Sequence, residues 1–469
     1  MNSKPTTRIW IDVSLLLKCN PYQPTGIPRT TANLFRSWWS KGYGNLRLCG
    51  MSPEAGGYVE VPANEVLARF PLRPKSSPSD EPNRMDVRPA LPRSVAGPNR
   101  FKSGARWLAR QFIPNGPKTL IREVLTRTPL AYRALRRRFN PPSRQAAIAM
   151  TPNDIVLSLG GEWMIPDFTD LCNHLRREQK FRAVQLVYDL IPVLRPQYFP
   201  GTGSDERDWE KYFESALRRA DLVVAISRCV QREIRQYLID AKIGPRPVEV
   251  IRLGESIPKI ASSGYPPLAA KLDPAKPFIL SVGTLEVRKN HYLLYQAWRR
   301  LAEQLGDAVP KLVLVGCKGW LTDDLLHQMR VDPLTRDTIV FIPHCDDSQL
   351  RWLYGNCLFT IYPSHFEGWG LPVAESLAYG KHCVCSNASS IMEIAPTLVD
   401  SHDPVDLPSC LRLIEQALDP AYRAAKERRI RAEFRQTSWD ETADQFAQHI
   451  ENALGPVFDR GAWAAAKSA

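Results

Sequence analysis

Glu367 and Glu375 stand seven residues apart on either side of a glycine-rich turn, His365-Phe366-Glu367-Gly368-Trp369-Gly370-Leu371-Pro372-Val373-Ala374-Glu375. Gly368 and Gly370 let the backbone come close to a ligand, and a helix opening near Pro372 offers N–H groups to an anion. An acidic residue just beyond such a turn is placed to hold ribose hydroxyls. A second constellation is basic: Arg288 and Lys289 follow the apolar run Phe278-Ile279-Leu280-Ser281-Val282 and precede a helix opening near Asn290, where both can meet a diphosphate. Together these residue types suit the chemistry of a nucleotide-sugar site.

The elements that must position them follow from periodicity. Leu358 to Pro363 predicts a buried strand, with Glu367 in the following loop and Glu375 on a helix from Pro372 to Tyr379 closed by Gly380. Arg8 to Val13 predicts a first strand, followed by the loop Gln23-Pro24-Thr25-Gly26-Ile27-Pro28-Arg29 and a helix from about Thr30 to Trp39. Further strands are predicted at Asp154–Leu159, Ala183–Asp189, Leu222–Ser227 and Val248–Ile251, and a second set begins at Phe278. These runs are apolar on both faces, as parallel strands covered by helices require. The fold class is therefore α/β, with two doubly wound Rossmann-like domains.

The block around Glu367 and Glu375 resembles the E-x7-E motif of retaining glycosyltransferases of family 4. Supporting blocks lie in the same order: Ser281 to Asn290, Leu312 to Gly316 with Gly319-Trp320, Leu353-Tyr354, Ser389-Ser390 and Glu393. The resemblance covers residues 277 to 400. It implies the GT-B fold, in which two Rossmann-like domains face a cleft and a final helix crosses back to the first domain. Residues 1–255 would form the acceptor-side domain and 270–435 the nucleotide-sugar-binding domain. Residues 436–469 would hold the crossing helix, best matched by Ser438 to Ile450, and a tail.

The resemblance also implies roles. Glu375 binds the donor ribose, and Glu367 lies near the transferred sugar. Lys289 keeps the family's lysine position, while Thr284 stands where the family has an arginine, a gap Arg288 can fill. Backbone N–H groups of Trp369, Gly370 and Leu371 hold the sugar or its phosphate where Gly368 lets the chain come close, with packing an equal reading for Trp369. In the first domain, Tyr188-Asp189-Leu190-Ile191-Pro192 resembles the family's H-D-L-x-P segment, with Tyr188 in place of histidine. Asp189 orients or deprotonates the acceptor hydroxyl. Gly26 and Arg29, in the family's T-G-I-x-R loop, approach the donor phosphate. Although two carboxylates invite a double displacement, the family's usual proposal is front-face attack, the leaving phosphate taking the proton. No Asp-x-Asp lies beside a strand, so no metal is expected.

Charge is unevenly spread. Thirteen basic residues and one acidic residue between Arg93 and Arg144 account for nearly all of the net +13. This stretch lies in a region, about 52–145, rich in Pro, Arg and Ser, which reads as a basic helical insertion in the N-terminal domain. Basic helices bearing aromatic residues and few acids suit an anionic bilayer surface, with a partner protein as the alternative; no nucleic-acid motif accompanies the charge. No segment is apolar enough to span a membrane and no signal peptide is visible at Met1-Asn2-Ser3-Lys4-Pro5, so the expected location is cytoplasmic, peripheral on the inner leaflet. The ten cysteines form neither a disulfide framework nor a metal knuckle, which suits a reducing cytosol. The Gly283 to Asn290 block resembles mannosyltransferases most closely. The expected activity is thus hexosyl transfer, with GDP-mannose the favoured donor, to a glycan or lipid-linked glycan in polysaccharide synthesis. A UDP- or dTDP-sugar transferase and a catalytically inactive scaffold are the alternatives.

Overall fold

The computed structural model describes residues 7–19, 26–70, 146–165, 167–199, 205–255, 272, 276–343 and 345–459. The loop residues Gln23 to Thr25, the basic segment Arg93 to Arg144 and the C-terminal tail from residue 460 lie outside the described residues.

Two sheets organise the chain. The first has seven strands in the order β3-β2-β1-β4-β5-β6-β7: β1 Ile9–Asp12, β2 Leu46–Ser52, β3 Gly57–Glu60, β4 Ile155–Ser158, β5 Arg182–Val187, β6 Leu222–Ala225 and β7 Val248–Val250. All neighbours run parallel except β3, which pairs antiparallel with β2 at the edge. The second sheet has six parallel strands in the order β10-β9-β8-β11-β12-β13: β8 Phe278–Val282, β9 Lys311–Val315, β10 Ile339–Ile342, β11 Thr360–Tyr362, β12 Cys383–Ser386 and β13 Asp400–His402. In each sheet the order reverses beside the first strand, leaving a crevice at the carboxyl ends where such sheets take ligands.

The segment Ser52 to Arg69, which composition assigns to the insertion, supplies instead the edge strand β3 and the helix Ala63–Arg69. Tyr58, Val59, Val61 and Val66 are buried there, and Arg69 donates to the carbonyls of Leu17 and Cys19. Four apolar side chains are enough to fix a short edge strand, although the stretch is too short and too glycine-rich to show clear alternation.

Helix ends follow local chemistry. Ser227 caps the Arg228–Asp240 helix by accepting the N–H of Val230, and Asp346 forms a capping box with Gln349 at the Asp347–Asn356 helix. Ser438 and Glu441 form another capping box at the Trp439–Leu454 helix. That last helix lies against the Ile27–Ser40 helix of the first sheet's layer: Trp38 packs against Phe446 with ring centroids 5.2 Å apart and the rings tilted by 59°, its indole N–H donates to the Ala443 carbonyl, and Ser37 donates to Asp440. One apolar cluster runs from β1 and β4 through Phe446 and Trp439 to Val373 and Ile391 beside the second sheet. The crossing helix is therefore part of the core that joins both layers.

Ser438→Ala removes the hydroxyl that accepts the Glu441 N–H, so stability should fall by about 1 kcal/mol. The urea midpoint of unfolding measures it, and an unchanged midpoint would mean the cap contributes nothing to this junction.

Candidate active site

A cavity of about 380 Å³ lies between the carboxyl ends of the two sheets. All eleven residues singled out from the sequence line it: Gly26, Arg29, Asp189, Arg288, Lys289, Glu367, Gly368, Trp369, Gly370, Leu371 and Glu375. They arrive on separate loops. Gly26 opens the Ile27–Ser40 helix at φ +53°, Asp189 follows β5, and the basic pair sits on a short turn, Val287–Lys289, after β8. Glu367 to Gly370 form the turn between β11 and the Leu371–Ala378 helix, on which Glu375 faces inward.

Glu367 is the centre of a charge cluster. Its Oε1 accepts from Lys289 Nζ at 2.6 Å and from the Tyr362 hydroxyl at 2.8 Å, while Oε2 lies 2.7 Å from Arg288 Nη1. Burial opposes its ionisation, but the charges of Arg288 and Lys289, with their hydrogen bonds, outweigh that cost and bring the carboxyl down to about 2. Arg288 also binds Glu286 at 2.5 Å and the Phe366 carbonyl at 2.6 Å. Lys289 is lowered, chiefly by burial and then by neighbouring Arg288 against the pull of Glu367. The loop itself is braced from the other side: Ser389 accepts the Glu367 N–H, and Ser390 donates to the carbonyls of Glu367 and Trp369.

Glu375 has a different environment. Arg29, from the opposite domain, donates to its Oε1 at 2.7 Å, and the Tyr354 hydroxyl donates to Oε2 at 2.9 Å. Burial raises its pKa, with Arg29 and Tyr354 opposing. Arg29 is thus placed on the carboxylate expected for ribose, away from the Arg288–Lys289 end expected for the diphosphate. A long side chain at the start of the Ile27–Ser40 helix finds a buried opposite charge closer than the far wall.

Asp189 accepts the Ile191 N–H at 3.0 Å, and burial raises its pKa while Arg288 opposes the rise. Tyr188 turns its hydroxyl back to the Leu159 carbonyl at 3.0 Å. The two loops touch here: a Cβ on Gly368 would lie 2.2 Å from the Tyr188 carbonyl oxygen, so only glycine allows this approach. Trp369 is buried under Arg252, whose guanidinium lies 5.3 Å from the ring, and it belongs to the core joining the layers. Among the described residues no group of His, Cys, Asp and Glu is arranged to hold a metal ion, and no helix is long and apolar enough to cross a membrane.

Sequence reasoning passed over Glu286, Tyr354 and Tyr362. Tyr354 was visible only as part of a matching block, and Tyr362 reads as a strand residue; nothing local tells that their hydroxyls meet the two carboxylates. Glu286, two residues before Arg288, carried the clearest signal of an acidic partner.

Residues 269–399 match the family model described as glycosyl transferases group 1. The chain is 29% identical over 292 residues to the O-antigen chain mannosyltransferase B of Escherichia coli, covering 60% of this chain and 74% of that one. It is 27% identical over 276 residues to a serotype-specific mannosyltransferase WbdA of Escherichia coli, covering 56% of this chain and 32% of that one, so it spans about a third of that relative. Among solved structures it is similar to Anabaena Alr3699/HepE in complex with UDP and glucose, with a TM-score of 0.57 at 15% identity, covering 95% of this chain and 100% of that one. A sucrose-phosphate synthase from Thermosynechococcus elongatus gives a TM-score of 0.54 at 19% identity, covering 96% and 99%. The structural likenesses show the GT-B fold. With the matched domain, the chain is a glycosyltransferase.

The Glu367 carboxyl is depressed in the folded state, so its contribution is present above its unfolded pKa near 4.5 and lost as pH falls toward 2. Wild-type stability should therefore fall between pH 4.5 and 2 more steeply than that of Glu367→Gln. Urea midpoints across that range measure it, and parallel slopes would contradict the cluster's role in holding the charge.

Proposed function

We propose that this glycosyltransferase is a retaining mannosyltransferase, moving mannose from GDP-mannose to a glycan or lipid-linked oligosaccharide in polysaccharide synthesis. The observation that carries the reading is the meeting of Arg288, Lys289 and Glu367 with Glu375 around one cavity at the start of the Leu371–Ala378 helix. The names of the two mannosyltransferase relatives support the sugar and its use.

Each group has work suited to it. Glu375 exchanges its Arg29 contact for ribose hydroxyls. Arg288, Lys289 and the helix start face the diphosphate, whose negative charge grows as the bond from the anomeric carbon to phosphate oxygen breaks. Glu367, ionised at any working pH, keeps both cations aimed there and lies beside the positive charge that develops on the sugar ring. Both of its oxygens are already engaged by Lys289, Tyr362 and Arg288, which makes it a poor nucleophile and favours front-face attack over double displacement. In that attack the acceptor oxygen bonds to the anomeric carbon on the face the phosphate leaves, and the hydroxyl proton passes to the departing phosphate oxygen. Before attack Asp189 accepts a hydrogen bond from that hydroxyl and orients its oxygen, and the proton turns to the phosphate oxygen as the new bond forms. The site's cations leave no step that requires a metal ion.

Docking of the Arg93 to Arg144 segment on an anionic bilayer, beside a lipid-linked acceptor, belongs to the same reading and rests on the charge of the sequence. Changing these arginines to Gln should abolish pelleting with anionic liposomes; full pelleting of that variant would remove the docking surface.

A thermal-shift screen against GDP, UDP, dTDP, ADP and their sugar conjugates, without metal and then with magnesium, tests the donor. GDP and GDP-mannose should stabilise the protein by about 2.7 kcal/mol at a hundredfold excess over Kd. Glu375→Ala should lose that shift, whereas Asp189→Ala should keep it and transfer mannose at least about a hundredfold more slowly. A shift confined to UDP or dTDP would replace the donor, and no shift with any nucleotide would favour an inactive scaffold.

A further inference from the structure

A second cavity, of about 450 Å³, adjoins the first and shares Ile27, Tyr188 and Asp189 with it as a common wall. Its volume is that of a small-molecule site, within the usual range of about 300–1,000 Å³. Aromatic rings dominate its lining. Trp163 and Trp209 lie with centroids 5.5 Å apart, Trp209 and Phe199 6.3 Å apart, and Phe199 stacks on Trp320 at 5.4 Å. These four rings form a continuous arc, and all four are only partly buried, whereas Tyr212 and Phe213 behind them are buried in the core. Large aromatics that line a cavity and keep part of their surface accessible are available to a ligand.

We propose that this arc is a glycan subsite in which a pyranose ring of the acceptor stacks on the indoles of Trp163, Trp209 and Trp320, with a hydroxyl held at Asp189. The proposal rests on the transferase reading above and adds a binding site and the chemistry of its ligand. A pyranose has two kinds of surface, a face of weakly positive C–H groups and an edge of hydroxyls. The first matches the negative face of an aromatic ring, and the second matches the carboxylate at the shared wall. An isoprenoid chain would also fill an aromatic cavity, but it would offer no donor to the carboxylate beyond the Ile191 N–H that Asp189 already accepts, and burying a carboxylate oxygen against hydrocarbon is costly. The polar groups of the lining therefore select the sugar.

The arc is also built from both domains. Trp163, Phe199 and Trp209 belong to the layer of the first sheet, whereas Trp320 follows β9 of the second and is pinned across the cleft by its indole N–H, which donates to the Tyr198 carbonyl at 2.7 Å. The subsite is complete only when the two domains meet. The sugar ring and the donor then occupy neighbouring cavities on either side of Asp189, so the hydroxyl at the end of the stacked ring faces the anomeric carbon.

Saturation-transfer NMR on the full chain tests this, with mannotriose, maltotriose and chitotriose as probes. At least one trisaccharide should receive saturation on its ring protons, and the signal should fall at least fivefold in Trp163→Leu and Trp320→Leu. Trp163→Tyr, which keeps an aromatic face, should retain most of it. A GDP thermal shift preserved in the leucine variants shows that they are folded and that the loss belongs to this cavity. No signal from any trisaccharide, or equal signals in wild type and both leucine variants, overturns the proposal, as does competition by a short isoprenoid phosphate that reports instead on a lipid site. Absence of nucleotide binding in the wild-type protein would overturn the donor assignment alone, because the trisaccharide signal is read without nucleotide.

Discussion

The structure turns on a charge balance held where water is scarce. Glu367, Arg288, Lys289 and Glu286 bring two positive and two negative groups into one buried cluster. Such clusters add little net stability, because the loss of hydration offsets much of the attraction. Their use lies in geometry. Each cation is fixed by at least one short contact, so its position is set before a ligand arrives and little reorganisation remains for the reacting state. The loop carrying Glu367 is in turn fixed from behind by Ser389 and Ser390, which leaves the carboxylate no freedom to follow a ligand.

The same economy governs the junction between the domains. Glu393, from the second domain, accepts the backbone N–H groups of Arg228 and Cys229 and so completes the first turn of a helix in the other domain. Arg29 meets Glu375, Trp320 meets Tyr198 and Phe199, and Tyr198 stacks on His365 at 5.7 Å. These contacts are polar or aromatic. The apolar continuity between the layers is supplied elsewhere, by the Trp439–Leu454 helix and the cluster around Val373 and Ile391. The polar contacts across the cleft and the apolar attachment are thus carried by different parts of the chain.

Sequence periodicity gave most of the sheet. Strand runs such as Phe278 to Val282 and Leu222 to Ala225 are continuous, apolar and bounded by polar turns, and parallel strands buried on both faces leave that trace. Of the candidate site residues, those around Glu367 and the Arg288–Lys289 pair were legible from glycine spacing and charge, whereas Gly26, Arg29 and Asp189 stood out only through the family resemblance; all of them line the one cavity. What stayed hidden was tertiary. Tyr362 and Tyr354 are ordinary element residues until the fold aims their hydroxyls at Glu367 and Glu375. The pairing of Arg29 with Glu375 spans most of the chain, and nothing near either residue encodes it. The edge strand β3 escaped because a four-residue strand beside glycines has too few positions to show a period.

The wall shared by the two cavities limits how this molecule can diversify. Tyr188 and Asp189 border both spaces, and the Tyr188 carbonyl is pressed against Gly368, so any change there alters both compartments and their contact at once. Trp163 and Trp209 border one space, and Cys345 and Leu350 border the other. Inherited variation can accumulate separately on these outer surfaces, giving descendants with new preferences on one side of the reaction while the segment between them stays the same.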